Sequence, residues 1–313
     1  MMSVLFIFID GVGVGLNNRN NPLASKSWTS FSYFTESKGL HIRCNSIDRP
    51  GLLYVPIDAN LGIDGLPQSG TGQTTLFSGE NASKIAGKHY GPFPYSTTRY
   101  LLEEQSLFHK AIEIGKKPLF MNAYPEIFFK KAEKRDRWTA TTLMVRSAGI
   151  PLHREKHIRS GRAITAEITQ RIWRDKLNLD VPVITSEEAG QRVINAAEEN
   201  DLVLYEFFLT DKAGHSMDHG YAEEIREILD PFLMTLIENL SKDDTLVITS
   251  DHGNMEDLSI KTHTRNPVPL FVKGNTAPFR TAKSLKDVTP AILSILKTDD
   301  IYSADEFFSK DDK

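Results

Sequence analysis

Five short apolar runs constrain this 313-residue chain more than any other feature. They are SVLFIFI (3–9), PLFMNA (118–123), LVLYEFFL (202–209), TLVITS (245–250) and VPLFV (268–272). Each is short for a helix. None alternates apolar with polar residues, as a strand with one wet face would. They fit strands covered on both faces. Helical patterns fall between them: 99–114, 186–199 with Ser186 as N-cap, 221–240 interrupted by Pro231, and 284–296 with Pro290 near its start. Strands alternating with helices predict an α/β fold, a mostly parallel sheet flanked by helices. In such sheets functional groups gather just beyond the carboxyl ends of the strands.

Composition narrows the partners. The chain is 40% hydrophobic and 25% charged, enough for a sizeable core. A net charge of −4 gives no reason to expect nucleic acid or an anionic membrane as the main partner. Cys44 is the only cysteine, which excludes a disulfide framework and a cysteine metal cluster. The opening residues lack the basic stretch of a signal peptide, and Asp10 interrupts the apolar run, so a first core strand is expected there. No run approaches the about 20 apolar residues of a membrane span. The expectation is a soluble, cytoplasmic protein acting on a small molecule, with residues 309–313 as a frayed tail.

Residues 124–185 break the strand–helix pattern. Within them, 124–162 carry ten Lys/Arg against four Asp/Glu. Two readings stand side by side: an inserted cap that meets an anionic substrate, or the solvated face of a helical insertion.

Four stretches place oxygen and imidazole groups at strand ends. IFIDG carries Asp10, and FLTDKAGHSMDHG carries Asp211 and His215. ITSDHGNMED carries Asp251 and His252, and KTHTRNPVPLF carries His263. Carboxylates with imidazoles suit zinc, manganese or similar divalent ions. One Asp after a strand is commonly a cap or turn residue; the joint pattern is the signal. His219, four residues past His215, competes as a ligand, and Asn254, Glu256 and Asp257 are expected in supporting or turn roles. LPQSGTGQTTLFS (66–78) is a Gly-rich turn feeding a helix, whose N–H groups face an anion. Ser69 there is a candidate nucleophile or a helix cap, and Thr71 is the second candidate.

Taken together, FIDGVGVG, TDKAGH, SDHGNMED and HTRNPVPLF resemble, in order, the core motifs of the alkaline phosphatase superfamily. The likeness is strongest to its cofactor-independent phosphoglycerate mutase and phosphopentomutase branch. It implies a metal-binding phosphotransfer core over 1–123 and 186–313, with 124–185 as an inserted cap facing the substrate. It further implies two divalent metal ions, Mn2+ or Zn2+, with Mg2+ a third option. Asp10, Ser69, Asp251 and His252 would hold one, and Asp211, His215 and His263 the other. Ser69 would be phosphorylated during turnover. The mutase loop reads Ser/Thr-x-x-Gly-His; here Gln73 stands where that His would be.

The chemistry follows. Two cations can bind the attacking and leaving oxygens of an in-line displacement at phosphorus. Water as final acceptor makes a phosphatase, and the substrate's own second hydroxyl makes a mutase. Hydrolysis of a small phosphate monoester is placed ahead of mutase action on a phosphosugar or phosphoglycerate. A non-catalytic metal-dependent binding protein is the alternative of another class. A sulfatase is disfavoured, because neither Cys44 nor Ser69 sits in that family's Cys-x-Pro-x-Arg context. Arg99, Arg135, Arg137, Arg146 and Arg162 are candidate phosphate clamps, since a guanidinium binds phosphate bidentately.

Overall fold

The structure, a computed structural model, describes residues 2–308; the tail expected at 309–313 lies outside them. The strands are β1 (Val4–Ile9), β2 (Ile47–Arg49), β3 (Leu52–Ile57), β4 (Pro118–Phe120), β5 (Leu202–Phe207), β6 (Thr245–Thr249) and β7 (Val268–Lys273). They form one seven-stranded sheet in the order β2-β3-β7-β6-β1-β5-β4. β4, β5, β1 and β6 pair in parallel, while β7 runs against both β6 and β3, and β2 against β3. Five of the seven strands therefore share one direction, and their carboxyl ends open on one edge.

Why β1 reads as an unbroken apolar run is plain from its packing. Leu5, Ile7 and Ile9 enter one core and Val4, Phe6 and Phe8 the other, on opposite faces of the sheet. The first core is closed by the helices Ser186–Ala197 and His219–Asn239, the second by Ser69–Ser78 and Val288–Phe308. Phe77 meets Phe6 and Phe8 edge-on at 6.0 and 5.4 Å. That contact seats the Ser69–Ser78 helix on the strand that ends at Asp10.

Several local expectations change. The 99–114 pattern is two helices, Arg99–Glu103 and Leu107–Glu113. Ser106 between them is extended and its hydroxyl bonds His109 at 2.7 Å, a local bond that favours a helix start over a helix interior. The cap of Ser186–Ala197 is Thr185, not Ser186, because Thr185 has Glu188 three residues on to complete a capping box. The 221–240 pattern is one helix, His219–Asn239, running through Pro231. Asp230 beside it is buried and accepts from the backbone of Thr29 and Ser30, capping the Thr29–Thr35 helix from a distance. The β2–β3 hairpin lies outside the five runs: β2 is short and polar, and Pro56 of β3 falls beyond the Leu52–Tyr54 stretch that pairs with β2, where its missing N–H costs no bond to that strand.

Residues 124–185 form short helices and turns against the β4 side. All ten lysines and arginines between 124 and 162 are exposed to solvent. Among the described residues no helix is long and apolar enough to cross a membrane.

Candidate active site

The stretches flagged at strand ends converge at the carboxyl edge of β1, β5 and β6, beside the entry to β7. Asp10 follows β1, its amide donating to the Phe207 carbonyl at 2.9 Å. Gly11 then turns with φ +72°, and a Cβ there would lie 2.8 Å from Asp211, so only glycine lets this turn pass so close. Ser69 is the first residue of its helix, where free N–H groups and the helix dipole favour negative charge. Gly70 next to it admits the 90–93 loop, since a Cβ would fall 2.1 Å from the Phe93 carbonyl.

Four groups crowd one point. His252 Nε2 lies 2.9 Å from Ser69 Oγ, 3.2 Å from Asp10 Oδ1 and 3.5 Å from Asp251 Oδ2. Both of those carboxylate oxygens are buried and lack a hydrogen-bond partner. Burial, then the charges of Asp251, Asp211 and Glu206, push Asp10 well above the usual carboxylate range. Acids held together at this cost, with unpartnered oxygens, are what a bound cation would offset.

The second group has the same character. His263 Nδ1 lies 2.7 Å from the Pro67 carbonyl and His215 Nδ1 2.8 Å from the Lys261 carbonyl. A carbonyl only accepts, so each ring donates N–H there and turns its Nε2 inward. Those two Nε2 atoms are 3.2 Å apart, His215 Nε2 is 3.3 Å from Asp211 Oδ2, and His263 Nε2 is 3.5 Å from Asp211 Oδ1. Two imidazole nitrogens facing each other beside a carboxylate fit a cation between them. Burial alone would raise Asp211, but the hydrogen bond from His263 and the charge of His252 outweigh it and hold the carboxyl well below its ordinary value. His252 also reaches this side: Asp211, His252 and His263 could hold one ion, as could Asp10, Asp251 and His252. The rings of His252 and His263 stack at 3.8 Å.

Other flagged residues fall elsewhere. The Thr71 hydroxyl is 3.4 Å from each of the Gln68 and Tyr90 carbonyls and accepts from the Tyr90 amide at 3.1 Å, so it fastens the 90–93 loop. His219 is exposed at the start of its helix, which Asp218 caps, and Asp257 forms a turn with Ser259. Gln73 donates to Asp10 Oδ2 at 3.2 Å. Asn254 donates to Asp211 Oδ1 at 2.6 Å. Glu256, fully buried, accepts from Gly13 N at 3.0 Å, Asn254 N at 2.7 Å and Asn266 Nδ2 at 3.0 Å, and from the Thr264 hydroxyl. It ties the three loops that carry Asp10, His252 and His263.

Beside Ser69 is a cavity of ≈ 360 Å3 lined by Asp10, Gln73, Asp211, Glu206, Lys212 and the rings of Tyr124, Phe128, Trp173 and Phe208. None of the five flagged arginines lines it. Arg99 pairs with Glu103 at 3.0 Å, Arg137 lies over Phe93 at 4.4 Å and Arg146 over Trp138 at 3.6 Å. Arg162 donates to Ser160 at 3.1 Å, and Arg135 faces a separate groove.

Glu206 and Lys212 are the lining residues that sequence reasoning passed over. The signal was present for Glu206, one acid inside the apolar run LVLYEFFL. Burial raises its carboxyl to about 7, against a hydrogen bond from Thr141 at 2.7 Å and with a further push from the Asp251 charge. The folded protein thus holds this proton where the unfolded chain, near 4.5, releases it. Stability from this group is complete below the unfolded value and is lost as pH rises toward 7. Metal-free protein should therefore lose on the order of 3 kcal/mol more between pH 4.5 and 7 than Glu206→Gln does. Urea unfolding at several pH values checks this, and parallel curves for the two proteins would contradict it.

Residues 179–300 match the profile of the metalloenzyme superfamily. That segment holds Asp211, His215, Asp251, His252 and His263; Asp10 and Ser69 join it only through the fold. The 2,3-bisphosphoglycerate-independent phosphoglycerate mutase of Desulforudis audaxviator (strain MP104C) is 30% identical over 124 residues, 37% of this chain and 24% of that enzyme. The enzyme of the same name from Clostridium botulinum (strain ATCC 19397 / Type A) is 29% identical over 126 residues, 37% of this chain and 25% of its own length. This chain thus matches about a quarter of the length of these curated relatives. Among solved structures, the PH0037 protein from Pyrococcus horikoshii superposes with a TM-score of 0.58 at 13% identity, covering 95% of this chain and 97% of that one. The alkaline phosphatase from the Antarctic bacterium TAB5 gives 0.57 at 12%, covering 94% and 97%. These two show the shared fold.

Proposed function

We propose that this chain, a metalloenzyme of the alkaline phosphatase superfamily, transfers the phosphoryl group of a small phosphate ester through a phosphoseryl intermediate at Ser69. The observation that carries the reading is Ser69 Oγ, at a helix N-terminus, within 2.9 Å of His252 Nε2 and beside two buried carboxylate oxygens without partners. Asp10, Ser69, Asp251 and His252 would hold one divalent ion, and Asp211, His215 and His263 a second; Mn2+ or Zn2+ suits these donors, with Mg2+ a third option. Such ions, when bound, lower the pKa of the serine hydroxyl and offset the charge of the phosphate.

The remaining work falls to the chain. The helix dipole favours the Ser69 alkoxide and the incoming anion. Gln73 holds Asp10 in place. Attack of Ser69 Oγ on phosphorus breaks the bond to the alcohol oxygen, and the alcohol leaves with a proton. Water then attacks the phosphoserine, releases phosphate and restores the hydroxyl. Residues 124–185 act as an inserted cap that closes the cavity over the alcohol.

Hydrolysis stands ahead of mutase action because Lys212, its ammonium over the Phe208 ring, is the one lysine or arginine lining the cavity to receive the carboxylate of a phosphoglycerate. The mutase identity of the curated relatives favours the second reading, return of the phosphoryl group to another hydroxyl of the same substrate. Purified protein with Mn2+ should release phosphate from a panel of monoesters, lose that activity in EDTA and regain it with Mn2+. Released phosphate and isomerised ester, measured separately, decide between hydrolase and mutase. Tight binding with neither product would point instead to a metal-dependent binding protein.

A further inference from the structure

We infer that the cavity beside Ser69 takes the phosphate ester of a neutral, aromatic or otherwise apolar alcohol, with the inserted segment supplying the wall it packs against. The inference rests on the phosphoryl-transfer reading above and adds the class of substrate.

The wall is ring-rich on both sides. Tyr124, Phe128 and Trp173 come from the inserted segment and Phe208 from the core, immediately after β5. Tyr124 and Phe128 stack with centroids 4.2 Å apart and planes at 28°, and both line the cavity. The basic residues that make this segment cationic take no part: all ten are exposed and none lines the cavity. Lys212 is the one lysine or arginine among the lining residues, and its ammonium lies over the Phe208 ring at 4.6 Å. Glu206 adds an acid to the same wall, its Oε2 accepting from Thr141.

Charge and solvation then select the alcohol. A carboxylate on the leaving group would meet the Glu206 side chain and, of lysines and arginines, only Lys212, whose ammonium already lies over the Phe208 ring. A polyol would surrender several water contacts for few partners. A ring or short hydrocarbon loses nothing by leaving water and gains contact with four aromatic side chains.

Phosphonates test this without turnover. Mn2+-loaded protein is titrated calorimetrically with methylphosphonate, benzylphosphonate and 3-phosphonopropionate. Benzylphosphonate should bind at least about tenfold more tightly than methylphosphonate, and 3-phosphonopropionate no more tightly than methylphosphonate. In Phe128→Ala, a half-buried position, the benzyl-to-methyl ratio should fall toward unity. Equal affinity for benzyl and methyl, or preference for the carboxylate, overturns the substrate class and leaves phosphoryl transfer standing. Binding of none of the three overturns the phosphate site itself, and the substrate class with it.

Discussion

Ser69→Ala should abolish phosphate release, by about a thousandfold or more, while the protein stays folded and binds Mn2+. The loss is large because the hydroxyl is the proposed attacking group, and the second candidate, Thr71, is committed to the backbone of Gln68 and Tyr90. The fold should be spared because Ser69 contributes one side-chain hydrogen bond, to His252, at the first turn of its helix. Helix and strand are joined instead through Phe77. Three further groups remain for the ion beside it: Asp10, Asp251 and His252. Metal content by elemental analysis, with kcat/KM on an aryl phosphate, separates the outcomes. Full activity in the variant would reject the serine as nucleophile. Lost activity together with lost metal would make it a ligand only.

Glu256→Ala should cost about 3–5 kcal/mol of stability. This carboxylate is fully buried and satisfies two backbone amides, a hydroxyl and a side-chain amide from three loops. Alanine leaves each donor buried without an acceptor. Nearby glycines cannot fill the space: a Cβ on Gly13 or Gly253 would sit 2.3 or 2.2 Å from the existing carboxylate. Glu256→Gln should fall between, since its amide nitrogen meets a donor where an acceptor is needed. Urea unfolding of the metal-free proteins gives the numbers, and a loss below about 1 kcal/mol would show that the loops hold themselves. Mn2+ affinity should drop in parallel, because Asp10, His252 and His263 all ride on these loops.

Much of this was legible in the chain because the parallel strands are buried on both faces. Such burial writes itself as an unbroken apolar run, as in β1, β5 and β6. The β2–β3 hairpin left a weaker mark, since β2 has three residues, two of them charged and exposed, and β3 is partly open to solvent at Val55 and Pro56. Asp10, Asp211, Asp251 and their histidines could be picked out because each follows a strand or leads into one. Their grouping could not, because it depends on how four loops fold over one edge. Glu206 was hidden by its apolar neighbours. The five flagged arginines lie away from this cavity, since charge in a sequence carries no direction, while Tyr124, Phe128 and Trp173 of the inserted segment line it.

One histidine stands within reach of both clusters. His252 could serve the ion at Asp10 and Asp251 or the one at Asp211 and His263, and its ring rests on that of His263 at 3.8 Å. Under the roles proposed above, the two ions compete for, or share the placement of, a single ring. Loading the first therefore changes the free energy of loading the second, and by reciprocity the second acts back on the first to the same extent. The reactivity of the proposed serine nucleophile would then depend on how both neighbouring sites are filled, and not on either ion alone.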